Sequence, residues 1–230
     1  MSVHDGHRQR LRNRFLKEGL DNFEPVNVLE LLLFYCVPRK DTNELAHKLL
    51  KHFGSLHQVL DATPEELNQV PGVGPSIATF LPMITATFRY YRVSAGKAAV
   101  TLDTIEKCGD YLVNHFLGRK NETVMILCLD AKCKMIVCRE LGEGSVNSAS
   151  ISARRVVETA LGVKATSVVL AHNHPSGVAV PSADDVQTTR VIGKSLNAVG
   201  IVLTDHLVIA DEDYVSLVQS GLCSYDSLED

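Results

Sequence analysis

A chain of 230 residues, 45% hydrophobic and 22% charged, has room for one large domain or two ordinary ones, each with its own core. That composition excludes collagen-like, mucin-like and low-complexity architectures. The longest apolar run, Val26 to Val37, is interrupted by Asn27 and Glu30 and falls short of the roughly 20 residues that cross a bilayer, so no membrane association is expected. The opening Met1-Ser2-Val3-His4-Asp5 lacks the apolar stretch of a secretory signal, which points to the cytoplasm. There the six cysteines, none in a Cys-x-x-Cys pair, are expected to be thiols of strands and core.

The net charge of −4 hides an asymmetry. Residues 1–100 hold 12 Lys and Arg against 10 Asp and Glu, or +2, leaving 11 against 17, or −6, in residues 101–230. The basic excess is concentrated at the start, where Arg8, Arg10, Arg12, Arg14 and Lys17 face Asp5 and Glu18. Such a segment is either a solvated helical face or one that meets phosphate.

In chain order, the first signals are helical up to about Arg92. Asp41-Thr42-Asn43-Glu44 reads as a capping box opening a helix with Leu45, Leu49, Leu50 and Phe53 on one side, and Thr63-Pro64-Glu65-Glu66 repeats the device. Short helices are expected to follow one another with brief connections. Between Val70 and Ala78, the turn Gly72-Val73-Gly74 fits a helix-hairpin-helix, whose glycines let backbone N–H groups approach a phosphate without reading sequence. A structural corner between helices uses the same glycines for the same steric reason. The stretch Val93 to Ala98 is small and aperiodic, so the domain boundary is placed there.

Beyond Thr101 helices and strands alternate. Ile105, Cys108, Leu112 and Phe116 define a helix that Gly118 ends. Thr123–Leu129 and Met135–Cys138 read as a hairpin joined through Asp130-Ala131-Lys132-Cys133-Lys134. A helix near Ala153–Leu161, a strand over Ser167–Ala171, a helix from Ala183 and a strand over Ile201–Ile209 complete a mixed sheet covered by helices.

The chemistry is concentrated in Ala171-His172-Asn173-His174-Pro175-Ser176-Gly177 and Pro181-Ser182-Ala183-Asp184-Asp185. Side chains at i and i+2 of a strand project together, so His172 and His174 can reach one point. Pro175 and Gly177 turn the chain back and can bring Asp185 over it. Two His and one carboxylate, with a fourth position left to water, are the open set of a catalytic zinc. Taken singly, a His-x-His is common on surfaces, and Ser182-x-x-Asp185 is itself a capping box. The full spacing His-x-His-x7-Ser-x2-Asp is far more specific than either part.

This spacing resembles the JAMM metalloprotease motif, and the Pro-Ser-Gly after the second His is similar to the form found in the RadC family of bacterial proteins. Gly6 to Arg12, Glu30 to Tyr35, Pro38 to Thr42 and the Gly72 hairpin resemble that family's N-terminal domain. The resemblance implies an all-α helix-hairpin-helix domain over residues 1–96. An α/β JAB/MPN-like mixed-sheet domain, layered as in cytidine deaminases, would follow over residues 101–230. It implies a Zn²⁺ site made by His172, His174 and Asp185. It also implies a glutamate near the entry to the first strand that takes a proton from the activated water; Glu122 matches that place, with Glu140 and then Glu143 as alternatives. Ser182 would donate to the developing oxyanion. In place of the family's usual segment before the central helix, this chain has Ser152-Ala153-Arg154-Arg155. The expected activity is hydrolysis of a peptide or isopeptide bond in an unidentified protein substrate. The alternative is a DNA-associated repair factor that contacts DNA without sequence preference through Gly72, Val73 and Gly74 and the N-terminal arginines. A nuclease is disfavoured, because phosphoryl chemistry more often uses two metals and a denser carboxylate cluster.

Overall fold

In the computed structural model, described over residues 3–38, 41–95, 101–144 and 152–224, the chain divides into two compact units, residues 1–88 and 89–230. The first holds α1 (Val3–Glu18), α2 (Pro25–Cys36), α3 (Asn43–Phe53), α4 (Leu56–Leu60) and α5 (Pro64–Leu67). Its core is built from Leu29, Leu33, Leu49, Val59, Leu67, Ile77 and Leu81, all nearly or fully buried. The capping box at Thr63 forms as its spacing predicts: Thr63 Oγ1 accepts from the Glu66 N–H and Glu66 Oε2 from the Thr63 N–H.

The box expected at Asp41 does not form. Thr42 is the cap residue in a helical conformation without a side-chain bond. Asp41 instead accepts from the Asn43 N–H, and the Asn43 amide donates to the buried Glu30 carboxylate. A second difference is α6 (Pro75–Ala95), a single helix of 21 residues with Pro82 inside it, where only short helices were expected. It runs past residue 88, so the division falls earlier than the expected boundary at Val93–Ala98. Its last turns belong with the second unit, where Arg89 donates to the Leu117 carbonyl and Arg92 to Asn114. Of the expected boundary stretch, residues 96–98 lie outside the described residues.

The second unit is a five-stranded mixed sheet between two helical layers. After α7 (Ile105–Phe116) come β1 (Thr123–Leu129), β2 (Met135–Glu143), α8 (Ala153–Gly162), β3 (Ser167–Asn173), α9 (Ala183–Asn197), β4 (Val202–Ala210) and β5 (Asp213–Ser216). The strand order is β2-β1-β3-β4-β5, with β3 and β4 parallel and the other neighbours antiparallel. The parallel β3–β4 pair encloses the α9 crossover, as parallel neighbours require.

Period-two alternation sorts the sheet into two faces. Val124, Ile126, Cys128, Val168, Leu170 and Val208 pack with Val156 and Ala160 of α8 and Ile192 and Leu196 of α9. Met125, Leu127, Leu129, Val169, Ala171, Leu207 and Ile209 pack with Cys108, Leu112 and Phe116 of α7 on the other. β3 is buried on both faces, which explains its nearly unbroken apolar sequence. β5 was missed in the sequence, because Asp213-Tyr214-Val215-Ser216 is a short, mostly polar run.

The thiols in the described residues are free, as expected. Burial pushes Cys108 and Cys138 up to about 12, so neither is a nucleophile at neutral pH. No helix among the described residues is long and apolar enough to cross a membrane.

One contact fixes how closely α7 approaches β5. A Cβ placed on Gly109 would lie 2.3 Å from two ring atoms of Tyr214. Gly109→Ala should therefore destabilise the second unit by about 1–3 kcal/mol despite alanine's better helix propensity. Chemical denaturation of the two proteins would measure this, and unchanged stability would show that the tyrosine ring yields freely.

Candidate metal centre

The centre is assembled at the end of β3. His172 is the penultimate residue of that strand, and His174 follows it by one residue but keeps strand-like pairing through its N–H to the Ile209 carbonyl at 2.8 Å. Both rings project to the α8/α9 face, and their Nε2 atoms stand 3.0 Å apart. His172 is fully buried. Gly177, at φ +78°, then turns the chain, with its N–H on the His174 carbonyl at 3.1 Å.

The turn leads into α9, whose N-cap is Ser182. The capping box is present in full, and it orients Asp185. Asp185 Oδ2 accepts from the Ser182 N–H at 2.7 Å and from its hydroxyl at 2.6 Å, while the Asp185 N–H donates to Ser182 Oγ. Oδ1 is left facing His172 Nε2 at 3.4 Å, and Oδ2 lies 3.8 Å from His174 Nε2. Burial raises the carboxyl's pKa, but the neighbouring His172 and the hydrogen bonds from Ser182 outweigh it and hold Asp185 below the usual carboxylate range. It is an anion at neutral pH.

Glu122 arrives from β1. The antiparallel register pairs Val124 with His172, so continuing it by two residues sets Glu122 opposite His174 on the same face. Asn173, projecting the other way, fastens this segment: its Oδ1 accepts from the Thr123 N–H at 2.8 Å and its Nδ2 donates to the Asn121 carbonyl at 3.2 Å. One ligand atom each from Glu122, His172 and His174 lies within 4.8 Å of the others.

The register also separates Glu122 from its alternatives. Glu140 pairs with Met125 and Glu143 with Thr123, which places both on the face away from the histidines. Glu140 is moreover held by Arg119 at 2.8 Å, and Glu143 accepts from Asn121 at 3.3 Å.

The hydrogen-bond partners accommodate a protonation pattern that leaves both ligating Nε2 atoms free. His174 Nδ1 is 3.0 Å from the Val178 carbonyl, which can only accept, so His174 carries a hydrogen on Nδ1, and as a neutral imidazole it offers Nε2 as a ligand. Thr189 Oγ1 donates its single hydrogen to the Asp185 carbonyl at 2.6 Å, and it also lies 2.5 Å from His206 Nδ1. That second contact needs the hydrogen on His206. His206 is fully buried, and burial lowers its pKa far below the usual imidazole range, so it is neutral. Its Nε2 therefore accepts from His172 Nδ1 at 2.8 Å. His172, like His174, is left with a lone pair on Nε2.

In this pattern the two Nε2 atoms, 3.0 Å apart beside an ionised carboxylate, are arranged to receive a cation. Nitrogen ligands 2.0–2.1 Å from a tetrahedral zinc lie about 3.3 Å apart, close to the observed spacing of these imidazoles. The donor set fits zinc. Thr189 and His206 were not singled out from the sequence. Their one trace there is the polar pair Asp205-His206 inside the otherwise apolar β4.

Ser182 differs from its expected use as an oxyanion donor, because its hydroxyl hydrogen is committed to Asp185. Ser152, in the segment that departs from the family pattern, is the N-cap of α8 and accepts from the Arg155 N–H at 3.3 Å. In the first unit, Gly72 has φ +102°, and the Gly74 carbonyl accepts from the Ile77 and Ala78 N–H groups at the start of α6. Two of the N-terminal arginines make contacts within that unit. Arg8 donates to the Val37 and Pro38 carbonyls and lies over the Phe34 ring, and Arg14 pairs with Glu18 and lies over Phe23.

The sheet, its two helical layers and this cluster define a JAB-type domain: residues 102–222 match the model of the RadC-like JAB domain, and residues 6–79 match that of the UPF0758 N-terminal region. The chain belongs to the RadC (UPF0758) family. A UPF0758 protein of Fusobacterium nucleatum is 32% identical over 224 residues, covering 94% of this chain and 97% of the relative. One from Rhodobacter capsulatus is 36% identical over 212 residues, covering 92% and 99%. One from Herminiimonas arsenicoxydans is 32% identical over 213 residues, covering 93% and 95%.

Proposed function

We propose that this protein is a zinc-dependent hydrolase of the JAMM type that cleaves a peptide or isopeptide bond. His172, His174 and Asp185 hold the metal, and Glu122 moves the proton. The observation that carries the reading is the convergence of the His172 and His174 Nε2 atoms, 3.0 Å apart, with a ligand atom of Glu122 within 4.8 Å of them. A zinc ion bound there lowers the pKa of water from 15.7 toward about 7 and polarises a carbonyl.

The chain's own residues supply the rest. Glu122 is half-buried, so its carboxylate keeps access to water and substrate while β1 holds its backbone. It takes a proton from the attacking water. The water oxygen forms a bond to the carbonyl carbon, the C–N bond breaks, and Glu122 returns the proton to the departing nitrogen. Ser182 serves this step indirectly, by keeping Asp185 ionised and leaving Oδ1 toward His172. Asn173 does the same for Glu122 through the backbone of residues 121 and 123.

The reading is tested by incubating the zinc-loaded protein with a peptide library and with peptides joined through a lysine Nε. Cleavage at discrete bonds, lost after removal of zinc by a chelator and restored by adding it back, is expected. Cleavage that survives chelation, or none in either set, would overturn it.

A further inference from the structure

Behind the ligand atoms lies a chain of groups that cannot touch a bound metal. It begins on α9, where Thr189 stands one turn after Asp185 and donates to the Asp185 carbonyl. It passes through His206 of β4 and ends on Nδ1 of His172 in β3. Three separate elements, each carrying a part of the centre, are joined through two side chains. Thr189 and His206 are almost or wholly excluded from solvent, so water does not compete for these bonds.

Direction matters here as much as distance. With the hydroxyl hydrogen of Thr189 on the Asp185 carbonyl, the 2.5 Å contact takes its hydrogen from His206 Nδ1. That fixes His206 with its hydrogen on Nδ1, and His206 in turn fixes His172 with its hydrogen on Nδ1. Were the relay reversed or cut, His172 could place its hydrogen on Nε2, where it blocks a metal. We infer that Thr189 and His206 are positioning residues of the metal centre: together they lock the ligating tautomer and ring orientation of His172 and tie it to the helix that presents Asp185. The inference rests on the reading of this site as a metal centre. It assigns its own work to residues outside the ligand set.

Partners that orient a metal-bound imidazole typically contribute 10–100-fold in metal affinity. The test is the zinc dissociation constant of the full chain, measured by competition with a chromophoric chelator. Thr189→Val removes the hydroxyl but keeps the shape, and His206→Leu removes the acceptor; each should weaken zinc binding by about 10–100-fold. Thr189→Ser keeps the hydroxyl, and His206→Gln offers a side-chain oxygen near the position of the lost Nε2. Both should stay within about threefold of the parent, a small part of the outer-shell effect. Circular dichroism of the metal-free proteins shows which variants are folded, and the conservative pair keeps the comparison intact if His206→Leu is not.

Parent-like affinity in Thr189→Val and His206→Leu would overturn the inference. So would losses in Thr189→Ser and His206→Gln as large as in their apolar counterparts, since packing would then explain them. A parent chain that binds no zinc would overturn the metal-centre reading and this inference with it. The parent measurement therefore separates failure of the site from failure of the relay.

Discussion

Replacing His172 and His174 together by alanine should take the protein from about one zinc per chain to none retained after desalting, while the fold survives. Both imidazoles whose Nε2 atoms stand 3.0 Å apart are removed, and Asp185 alone is a poor zinc site. The fold should persist because β3 is held by ladders on both sides and by apolar residues on both faces. Stability supplies a second readout. A ligand that binds only the native state stabilises it by about 4 kcal/mol at a thousand times its dissociation constant. Added zinc should thus raise the melting temperature of the parent and leave that of the double variant unmoved. Metal analysis and thermal melts with and without zinc check both points. Zinc retained at one per chain in the double variant would place the metal elsewhere.

The parts of this centre differ in how far the sequence discloses them, and the reason is the range of the interaction that places each one. His172 and His174 are set by strand periodicity, a local property, and their convergence follows from two residues' separation. Asp185 depends on a turn and a capping box, both of which have short-range signatures in Gly177 and Ser182. Glu122 is 50 residues from His172 in sequence. Only the β1–β3 register puts it opposite His174, and its place among the candidates could be argued from resemblance but not from spacing. Glu140 looked comparable until the register placed it on the other face, against Arg119.

Tertiary contacts account for the remaining differences. His206 and Thr189 look like ordinary members of a strand and a helix, because what distinguishes them is the direction of hydrogen bonds between elements. Ser182 was recognised as part of the motif, yet its hydroxyl hydrogen serves the carboxylate beside it. At Asp41 the carboxylate accepts from the Asn43 N–H in place of the expected cap, and the Asn43 side chain reaches the buried Glu30 carboxylate.

Glu122→Gln should abolish most turnover while leaving the metal and the fold in place. Glutamine keeps the shape of the side chain and can still hydrogen-bond a water, but it cannot take up a proton. Asn173 and the β1 ladder hold the backbone on either side of residue 122 independently of its side chain, so thermal stability should change little. General acid–base catalysis contributes about 10²- to 10⁴-fold, and hydrolysis of any substrate found for the protein should fall by at least the lower figure. Glu140→Gln is the matched control. It removes a charge from the opposite face of the sheet, where its partner is the side chain of Arg119, partly exposed like Glu140 itself. An ion pair of that kind is worth about 0–1 kcal/mol, so its turnover should stay near that of the parent. Zinc content measured alongside the rates distinguishes a lost base from a lost metal. If Glu140→Gln proved inactive and Glu122→Gln active at full zinc occupancy, the register that sets Glu122 opposite His174 could not be the one that operates in catalysis, and the base would have to come from β2.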